Sequence, residues 1–189
     1  MTVLEQYIHS YFGVTLDDIS KISSYFQLTT LNKGDYFLKA GQICNKLSFH
    51  KSGLIRVYVA TEKKEVTQWI STQGYFVTDL AGIMFNKPTK YNIQALTDCE
   101  LYTIKTDDYN RIGNFIPKWH QLEKLFIARC FTFLEDRIFM LLSMTAAERY
   151  KLFFENQKEL FNQVPLQYIA SMLGMTPETL SRLRKKKLE

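Results

Sequence analysis

The hydrophobic period of the chain changes from two residues to about 3.6 residues near Pro117, and no other feature constrains the fold more. Ahead of Pro117, apolar and polar side chains alternate in Leu54–Val59, Glu65–Ile70 and Glu100–Ile104. Such alternation is typical of half-buried β-strands, whereas the later spacing is typical of a helix. We therefore predict an α+β fold with a strand-rich N-terminal part and a helical C-terminal part.

Turn-forming residues separate the predicted strands at short intervals. They are Gly34, Gly41, Gly53, Gly74 and Asn86-Lys87-Pro88. Many short strands with closely spaced turns indicate an antiparallel barrel or a jelly-roll sandwich, which is also called a double-stranded β-helix. Short helices are predicted ahead of them, from about residue 2 to residue 25, with Thr15 at a helix start. We expect residues 1–116 to form one sensor domain.

The helical pattern of residues 117–144 has more apolar surface than one interface requires. One stripe consists of Leu122, Phe126, Phe133 and Met140. A second stripe, displaced by about 100° around the axis, consists of Ile127, Phe131, Leu134, Ile138 and Leu141. One stripe can cover the sensor domain, and we interpret the second as a dimer seam. The alternative is that the C-terminal segment folds back over it.

Residues 145–189 begin with Thr145-Ala146-Ala147-Glu148, which has the spacing of a helix capping box. Asn162–Pro165 is expected to break the chain before the last two helices. In these, Ala170 is small enough for a helix crossing, and Gly174 tolerates the positive φ of a tight turn. The inner face is formed by Ile169, Leu173, Met175, Leu180 and Leu183. This pattern predicts a helix-turn-helix.

The outer face of the second helix follows from this geometry. Arg182 suits a bidentate contact with guanine, and Glu178 can accept a hydrogen bond from cytosine. The predicted DNA-binding residues are Thr176, Glu178, Thr179, Ser181, Arg182, Arg184, Lys185 and Lys186. Residues 166–189 hold five basic and two acidic side chains, a net +3 of the chain's +5. Such a local excess favours contact with a polyanion. The alternatives are a solvated tail or an ordinary helical hairpin with a charged outer face.

Other function classes find little support in the sequence. Cys44, Cys99 and Cys130 are widely spaced, which fits reduced thiols in the cytoplasm rather than a metal or iron–sulfur cluster. His50 is the only histidine in the strand region, and a cupin-like enzyme usually needs two or more. No apolar run is long enough to cross a membrane. We expect a cytoplasmic protein that is not an enzyme and holds no metal or cofactor.

The whole chain resembles the cyclic-AMP receptor protein and fumarate–nitrate regulator (CRP/FNR) family. The resemblance rests on the order of β-roll, long helix and helix-turn-helix, on the turn glycines, on Ile93–Leu101 and on Thr176–Arg182. It implies a homodimer that binds a two-fold site on double-stranded DNA and regulates transcription, with RNA polymerase as a candidate partner. The family's winged hairpin after the second helix is expected to be mostly missing here.

The expected effector pocket departs from the pattern of family members that bind cyclic AMP. Those members have Gly-Glu-Leu and later Arg-Ser or Arg-Thr, whereas the matching residues here are Thr78-Asp79-Leu80 and Thr89-Lys90. Without the arginine, the bidentate hold on a phosphate is lost. We predict a regulator that is not controlled by cyclic AMP and whose effector is unknown. The alternative function is a small-molecule sensor whose C-terminal helices contact a protein instead of DNA.

Overall fold

Two short helices precede an antiparallel β-domain, and helices form the remainder of the chain. The computed structural model describes residues 1–186, with Lys186 described by its backbone alone. The helices are α1 (Val3–Phe12), α2 (Leu16–Ser23), α3 (Leu80–Phe85), α4 (Thr106–Arg111), α5 (Trp119–Ser143), α6 (Ala146–Gln157), α7 (Leu160–Gln163), α8 (Leu166–Met172) and α9 (Pro177–Lys186), with a 3₁₀ turn at Ile112–Asn114. The strands are β1 (Gln27–Leu31), β2 (Tyr36–Leu38), β3 (Lys46–Ser52), β4 (Ile55–Ala60), β5 (Glu65–Ser71), β6 (Phe76–Val77), β7 (Asn92–Ala95) and β8 (Cys99–Lys105). The predicted α+β class is confirmed.

The strands form two four-stranded antiparallel sheets. The first sheet has the order β1-β8-β3-β6, and the second has the order β2-β7-β4-β5. The first and last strands pair, with Gln27 opposite Thr103, while β4 and β5 form a hairpin in which Ala60 lies opposite Glu65. Apolar side chains from both sheets, including Phe37, Ile55, Ile93 and Leu101, are buried in one cluster. Alternation along each strand therefore fills the space between the sheets, as expected from the period of two.

A second core joins the N-terminal helices to the first sheet and to α5. The rings of Phe12 and Trp119 lie 4.9 Å apart, and those of Phe12 and Phe126 lie 4.7 Å apart. Trp119, Phe126 and Phe49 are almost fully buried. Aromatic side chains bury large apolar areas, so this cluster fixes the start of α5 against the β-domain.

Local cap chemistry sets several helix starts. At α6 the Thr145 hydroxyl accepts a hydrogen bond from the Glu148 amide, and the Glu148 carboxylate accepts one from the Thr145 amide, so the predicted capping box is confirmed. These contacts hold the pKa of Glu148 below its usual range. Thr15 does precede α2, but its hydroxyl donates to the Asp18 carboxylate instead of accepting from a backbone amide.

Two details of the helical half differ from the sequence prediction. The helical path continues through Asn162 and Gln163 as the one-turn helix α7, so the break lies at Val164 and Pro165. Phe133 belongs to the stripe predicted to cover the sensor domain, yet 46% of its surface is exposed, and its ring makes an edge-to-face contact with Trp69 of β5. No helix within residues 1–186 is both long and apolar enough to span a bilayer.

Candidate nucleic-acid interface and sensor cavity

The last two helices meet in a tight corner built on two small residues. Ala170 in α8 is fully buried, and Gly174 lies between α8 and α9 with φ of 65°. The Met175 amide donates to the Ala170 carbonyl at 3.0 Å, which closes the turn. A Cβ at Gly174 would have a strained φ and would lie 3.1 Å from Leu141 Cδ2 of α5. The positions that the sequence singled out for a crossing and a turn therefore occupy those places.

The inner faces of α8 and α9 share one apolar core with α6 and α7. Ile169, Leu173 and Leu180 are buried, and Met175 and Leu183 are half-buried against them. Tyr150 and Phe161 complete the cluster from the preceding helices. Because α9 is held by its apolar face, its opposite face is directed toward solvent.

Most of the predicted DNA-binding residues share that solvent-facing surface, which we call the outer face of α9. Thr176, Glu178, Ser181, Arg182 and Lys185 are exposed, and Thr179 is half-buried. The Thr176 hydroxyl accepts from the Thr179 amide at 3.3 Å, and Arg182 Nη2 donates to the Thr179 hydroxyl at 3.4 Å. Backbone and hydroxyl donors at the helix start hold the pKa of Glu178 below its usual range, so its carboxylate is ionised at neutral pH. The outer face thus offers one guanidinium, one carboxylate and several hydroxyl groups side by side.

One predicted DNA-binding residue is placed differently, and the side chain of another is not described. Arg184 is half-buried, with its guanidinium 5.6 Å from the centre of the Phe161 ring, so it packs against its own domain. The Lys186 side chain and Lys187 lie outside the described residues.

The second sheet holds α8 through a buried arginine that the sequence analysis did not identify. Arg56 of β4 is only 2% exposed, and its guanidinium lies 4.1 Å from the Tyr58 ring centre and 3.6 Å from that of Tyr168 in α8. It also donates to the Thr67 hydroxyl at 2.9 Å and to Glu65 at 2.6 Å. Alternation in β4 marks Arg56 as facing away from the sheet interior, but nothing in the sequence indicates that α8 covers it.

Two further arginines bind backbone carbonyls where helices end. Arg137 Nη2 of α5 donates to the Gln68 carbonyl at 2.6 Å and to the Met172 carbonyl of α8 at 3.0 Å. Arg149 of α6 donates to the Leu173 carbonyl at 2.8 Å and to the Met144 carbonyl at 2.5 Å. Cations near helix C-termini satisfy carbonyls that have no partner inside the helix. These contacts fasten α8 to both the sheet and the central helix.

A cavity of about 780 Å³ lies between the β-domain, α1 and α5. Thr78, Asp79 and Leu80 line it, as expected for the effector pocket. Thr89 and Lys90 are not among its lining residues. Thr89 is buried near Gln42, with its amide bonded to the Gln42 carbonyl, while Lys90 is exposed beside the Tyr91 ring. The five predicted pocket residues are therefore not brought together.

The second stripe of α5 forms an exposed apolar face. Ile127, Phe131, Leu134, Ile138 and Leu141 are between 37% and 61% exposed. Phe139 and Leu142 extend this surface, at 69% and 82% exposed. The C-terminal helices cover the stripe only at its end, where Gly174 meets Leu141. Within residues 1–186, the C-terminal helices therefore do not cover the whole stripe, in contrast to the alternative considered from the sequence.

His50 and the three cysteines have surroundings that are typical of structural side chains. His50 is fully buried; its Nε2 donates to the Ser52 carbonyl at 2.9 Å, and its Nδ1 accepts from Ser71 at 3.1 Å. Burial lowers the pKa of His50 to about 4, so the ring is neutral at pH 7. Cys44, Cys99 and Cys130 are free thiols. In the described part of the chain, no group of three or more His, Cys, Asp or Glu residues could hold a metal ion.

Comparison with known proteins agrees with the fold described above. Residues 28–114 match the family model of the cyclic nucleotide-binding domain. A comparison with curated protein sequences finds no match.

The chain is also similar to solved structures over most of its length. For the Catabolite Activator Protein of Thermus thermophilus the TM-score is 0.60 at 19% identity, covering 95% of this chain and 85% of that one. For FixK2 of Bradyrhizobium japonicum it is 0.72 at 15% identity, covering 85% and 83%. For CLP of Xanthomonas campestris, described as a c-di-GMP-responsive global regulator, it is 0.67 at 15% identity, covering 92% of each. Identities this low show a shared fold, and both the domain family and the fold agree with the resemblance drawn from the sequence.

Proposed function

We propose that this chain, a CRP/FNR-type protein by its sensor-domain family and its fold, is a sequence-specific DNA-binding transcriptional regulator that acts as a homodimer. The observation that carries the proposal is the outer face of α9. A helix held by its apolar side in a two-helix corner presents Glu178, Arg182 and Lys185 to solvent. In a helix-turn-helix the second helix enters the major groove with such side chains foremost. We assign residues 145–189 to DNA binding on this basis.

The proposal assigns complementary roles to the polar groups of the outer face. Arg182 is exposed and forms no salt bridge within residues 1–186. Its guanidinium is therefore available for a guanine edge. Glu178, ionised, is an acceptor suited to a cytosine amino group. Thr176, Ser181 and Lys185 suit phosphate oxygens, which position a protein on DNA without selecting sequence.

The exposed face of α5 supports the homodimer. Its residues 127, 131, 134, 138 and 141 follow alternating steps of four and three, which is the spacing of a helix pair that packs along one seam. A second copy of α5 is the partner whose pattern matches that seam by symmetry. The dimer would present two copies of α9, and residues 117–144 would serve as the dimerisation helix.

The cavity supports a sensor role for residues 1–116 without control by cyclic AMP. Asp79 stands where cyclic-AMP-binding relatives have glutamate, and Thr89 and Lys90 lie outside the wall. The strand order of the two sheets supports the double-stranded β-helix description of this domain. RNA polymerase remains a candidate partner, and a DNA-binding role implies a cytoplasmic location.

Selection from a random pool of double-stranded DNA tests the function. We expect enrichment of a palindromic sequence whose half-sites lie about 34 Å, or one helical turn, apart. Affinity for that sequence should fall steeply with salt, because neutralised phosphates release counterions. A pool that remains random after repeated rounds would contradict DNA reading and would favour a protein partner for α8 and α9.

A further inference from the structure

The cavity between the β-domain, α1 and α5 has the size and surface of a small-molecule site. At about 780 Å³ it falls within the range of drug-sized ligand pockets, which are mostly apolar with few polar groups. Its walls come from β4, β5, β6 and β7, from the start of α3, and from α1 and α5. It therefore lies where a ligand would touch both the sensor domain and the central helix.

Aromatic rings dominate these walls. The rings are those of Tyr7, Tyr11, Trp69, Tyr75, Phe76, Tyr91 and Phe133. They are oriented by edge-to-face contacts, with centroid distances of 5.5 Å for Tyr11 and Phe76, 5.4 Å for Trp69 and Tyr75, and 5.3 Å for Trp69 and Phe133. The Tyr11 hydroxyl is held by the Gly74 carbonyl at 3.1 Å. Such walls favour a flat, apolar ring system over a sugar phosphate.

The two cations of the wall are already committed to protein groups. Arg129 Nη1 donates to the Ser10 and Tyr11 carbonyls at 2.8 and 3.1 Å, and Arg137 Nη2 donates to the Gln68 and Met172 carbonyls. These contacts engage one terminal nitrogen of each guanidinium and orient it toward backbone carbonyls, so a phosphate would have only the remaining N–H groups of a fixed side chain. Lys90 is exposed and outside the wall, so it supplies no replacement charge.

The start of α3 is also unsuited to an anion. The Asp79 carboxylate accepts from the Ala81 amide at 3.3 Å and so occupies the first helix turn itself. Its second oxygen, Oδ2, is buried and has no hydrogen-bond partner among residues 1–186. This negative group in the wall repels a phosphate and leaves uncharged ligands unaffected.

We infer that this cavity binds an uncharged, aromatic ring-containing small molecule rather than a cyclic nucleotide. The inference rests on the proposed function only where it names this molecule the effector of a DNA-binding regulator. Seven aromatic rings, two arginines oriented by backbone carbonyls and a capped helix start all point to the same ligand class.

Fluorescence titration with N-phenyl-1-naphthylamine, an uncharged aromatic probe, tests the inference without DNA. The chain has two tryptophans, so Trp119→Phe leaves Trp69 in the cavity wall as the only tryptophan donor, excited selectively, for energy transfer to the probe. We expect saturable transfer with one probe per chain and a dissociation constant of about 10 μM or lower. Cyclic AMP in large excess should displace none of the bound probe.

Matched variants in the Trp119→Phe background locate the probe. Ala81 lines the cavity and is exposed, so Ala81→Phe should fill space there and weaken binding by at least about 10-fold. Ala40→Phe, at an exposed alanine that does not line the cavity, and Leu142→Gln, on the exposed face of α5, should bind like the parent.

Equal binding by Ala81→Phe and Ala40→Phe, loss in Leu142→Gln, or displacement by cyclic AMP would each overturn the inference. Because no step involves DNA, a failure of probe binding is distinguishable from a failure of DNA binding, which the random-pool selection reports separately.

Discussion

Arg137 connects three parts of the molecule through one side chain. Its Nη2 donates to a carbonyl of β5 and to a carbonyl at the end of α8, and its guanidinium lies 5.1 Å from the Trp69 ring centre. Burial lowers the pKa of Arg137, which means that placing the charge there costs free energy. The two carbonyls and the ring face offset that cost, so the side chain acts as a fixed bridge between α5, the sheet and α8.

We expect Arg137→Ala to lower the free energy of unfolding by about 2–4 kcal/mol, because it removes two charge-assisted hydrogen bonds and leaves two carbonyls without them. Chemical denaturation measures this, and hydrogen exchange should show lost protection in α8. Arg111→Ala is the matched control, since the Arg111 side chain is 66% exposed and, among residues 1–186, its ion pair is with Asp108 on its own helix. Equal costs for the two variants would contradict the bridging role.

His50 makes the stability of the β-domain depend on pH. Its folded pKa of about 4 lies below the ordinary histidine pKa of 6.5, so the unfolded chain binds a proton in this interval while the folded chain does not. The stability contribution is therefore complete above pH 6.5 and is lost as the pH falls toward 4.

Comparison of the wild type with His50→Gln isolates this effect from the titration of carboxylates. Between pH 7 and pH 4, we expect the wild type to lose about 3 kcal/mol more unfolding free energy than the variant, at about 1.4 kcal/mol per pKa unit. Denaturant titrations at several pH values provide the measurement. Parallel pH curves for the two proteins would show that His50 is protonated in the folded state as readily as in the unfolded chain.

At the scale of elements, the exposed apolar face of α5 is the feature that most needs a partner. Monomeric proteins rarely expose large contiguous apolar patches, and such a patch usually marks an interface. The row of exposed side chains runs from Ile127 to Leu142 along one side of the helix. Its regular spacing distinguishes it from scattered surface residues and matches the helix-pairing seam that we propose.

A charge in the middle of this row should separate the dimer. Ile138 is 57% exposed in one chain, so Ile138→Glu leaves the monomer fold intact while placing a carboxylate at the seam. Analytical ultracentrifugation should give a dimer for the wild type and a monomer for Ile138→Glu. Leu16→Glu, at an apolar residue that is 66% exposed on α2, should remain dimeric. A dimeric Ile138→Glu would exclude this face as the interface.

At the same scale, the sequence predicted elements with local signals. The capping box at Thr145 and Glu148 marks α6 because both bonds form within one turn. Ala170 and Gly174 mark the corner because only small or conformationally free residues fit there. The one-turn helix α7 was missed, since four residues give too short a pattern to separate a helix from a turn.

On the scale of the whole molecule, the relations between distant segments could not be predicted. Arg56 and Tyr168 are far apart in the chain, and a stacked guanidinium leaves no periodic signal in either segment. The expectation that Thr89 and Lys90 line the pocket comes from a family pattern, whereas the backbone of Thr89 is bonded to Gln42 and Gly41. Packing of this kind depends on how separate elements meet, which a local pattern does not contain.

Contacts of the same kind join α8 to the β-domain. The Ser171 hydroxyl of α8 accepts from the Thr67 amide of β5 at 2.9 Å, so the proposed DNA-binding helices rest directly on the proposed sensor domain. The cavity borders β5 at Trp69, next to the Arg137 bridge. Two contacts, from Trp69 to Arg137 and from Arg137 to the Met172 carbonyl, therefore connect the cavity wall to α8.

The central claim is that the outer face of α9 reads DNA, and Arg182 tests it most directly. Binding of the wild type, Arg182→Ala and the control Arg111→Ala to the selected sequence and to a scrambled duplex can be compared by fluorescence anisotropy at one salt concentration. We expect Arg182→Ala to lose about 1–3 kcal/mol per half-site on the selected sequence and much less on the scrambled one. An unchanged ratio of the two affinities in Arg182→Ala would contradict the claim.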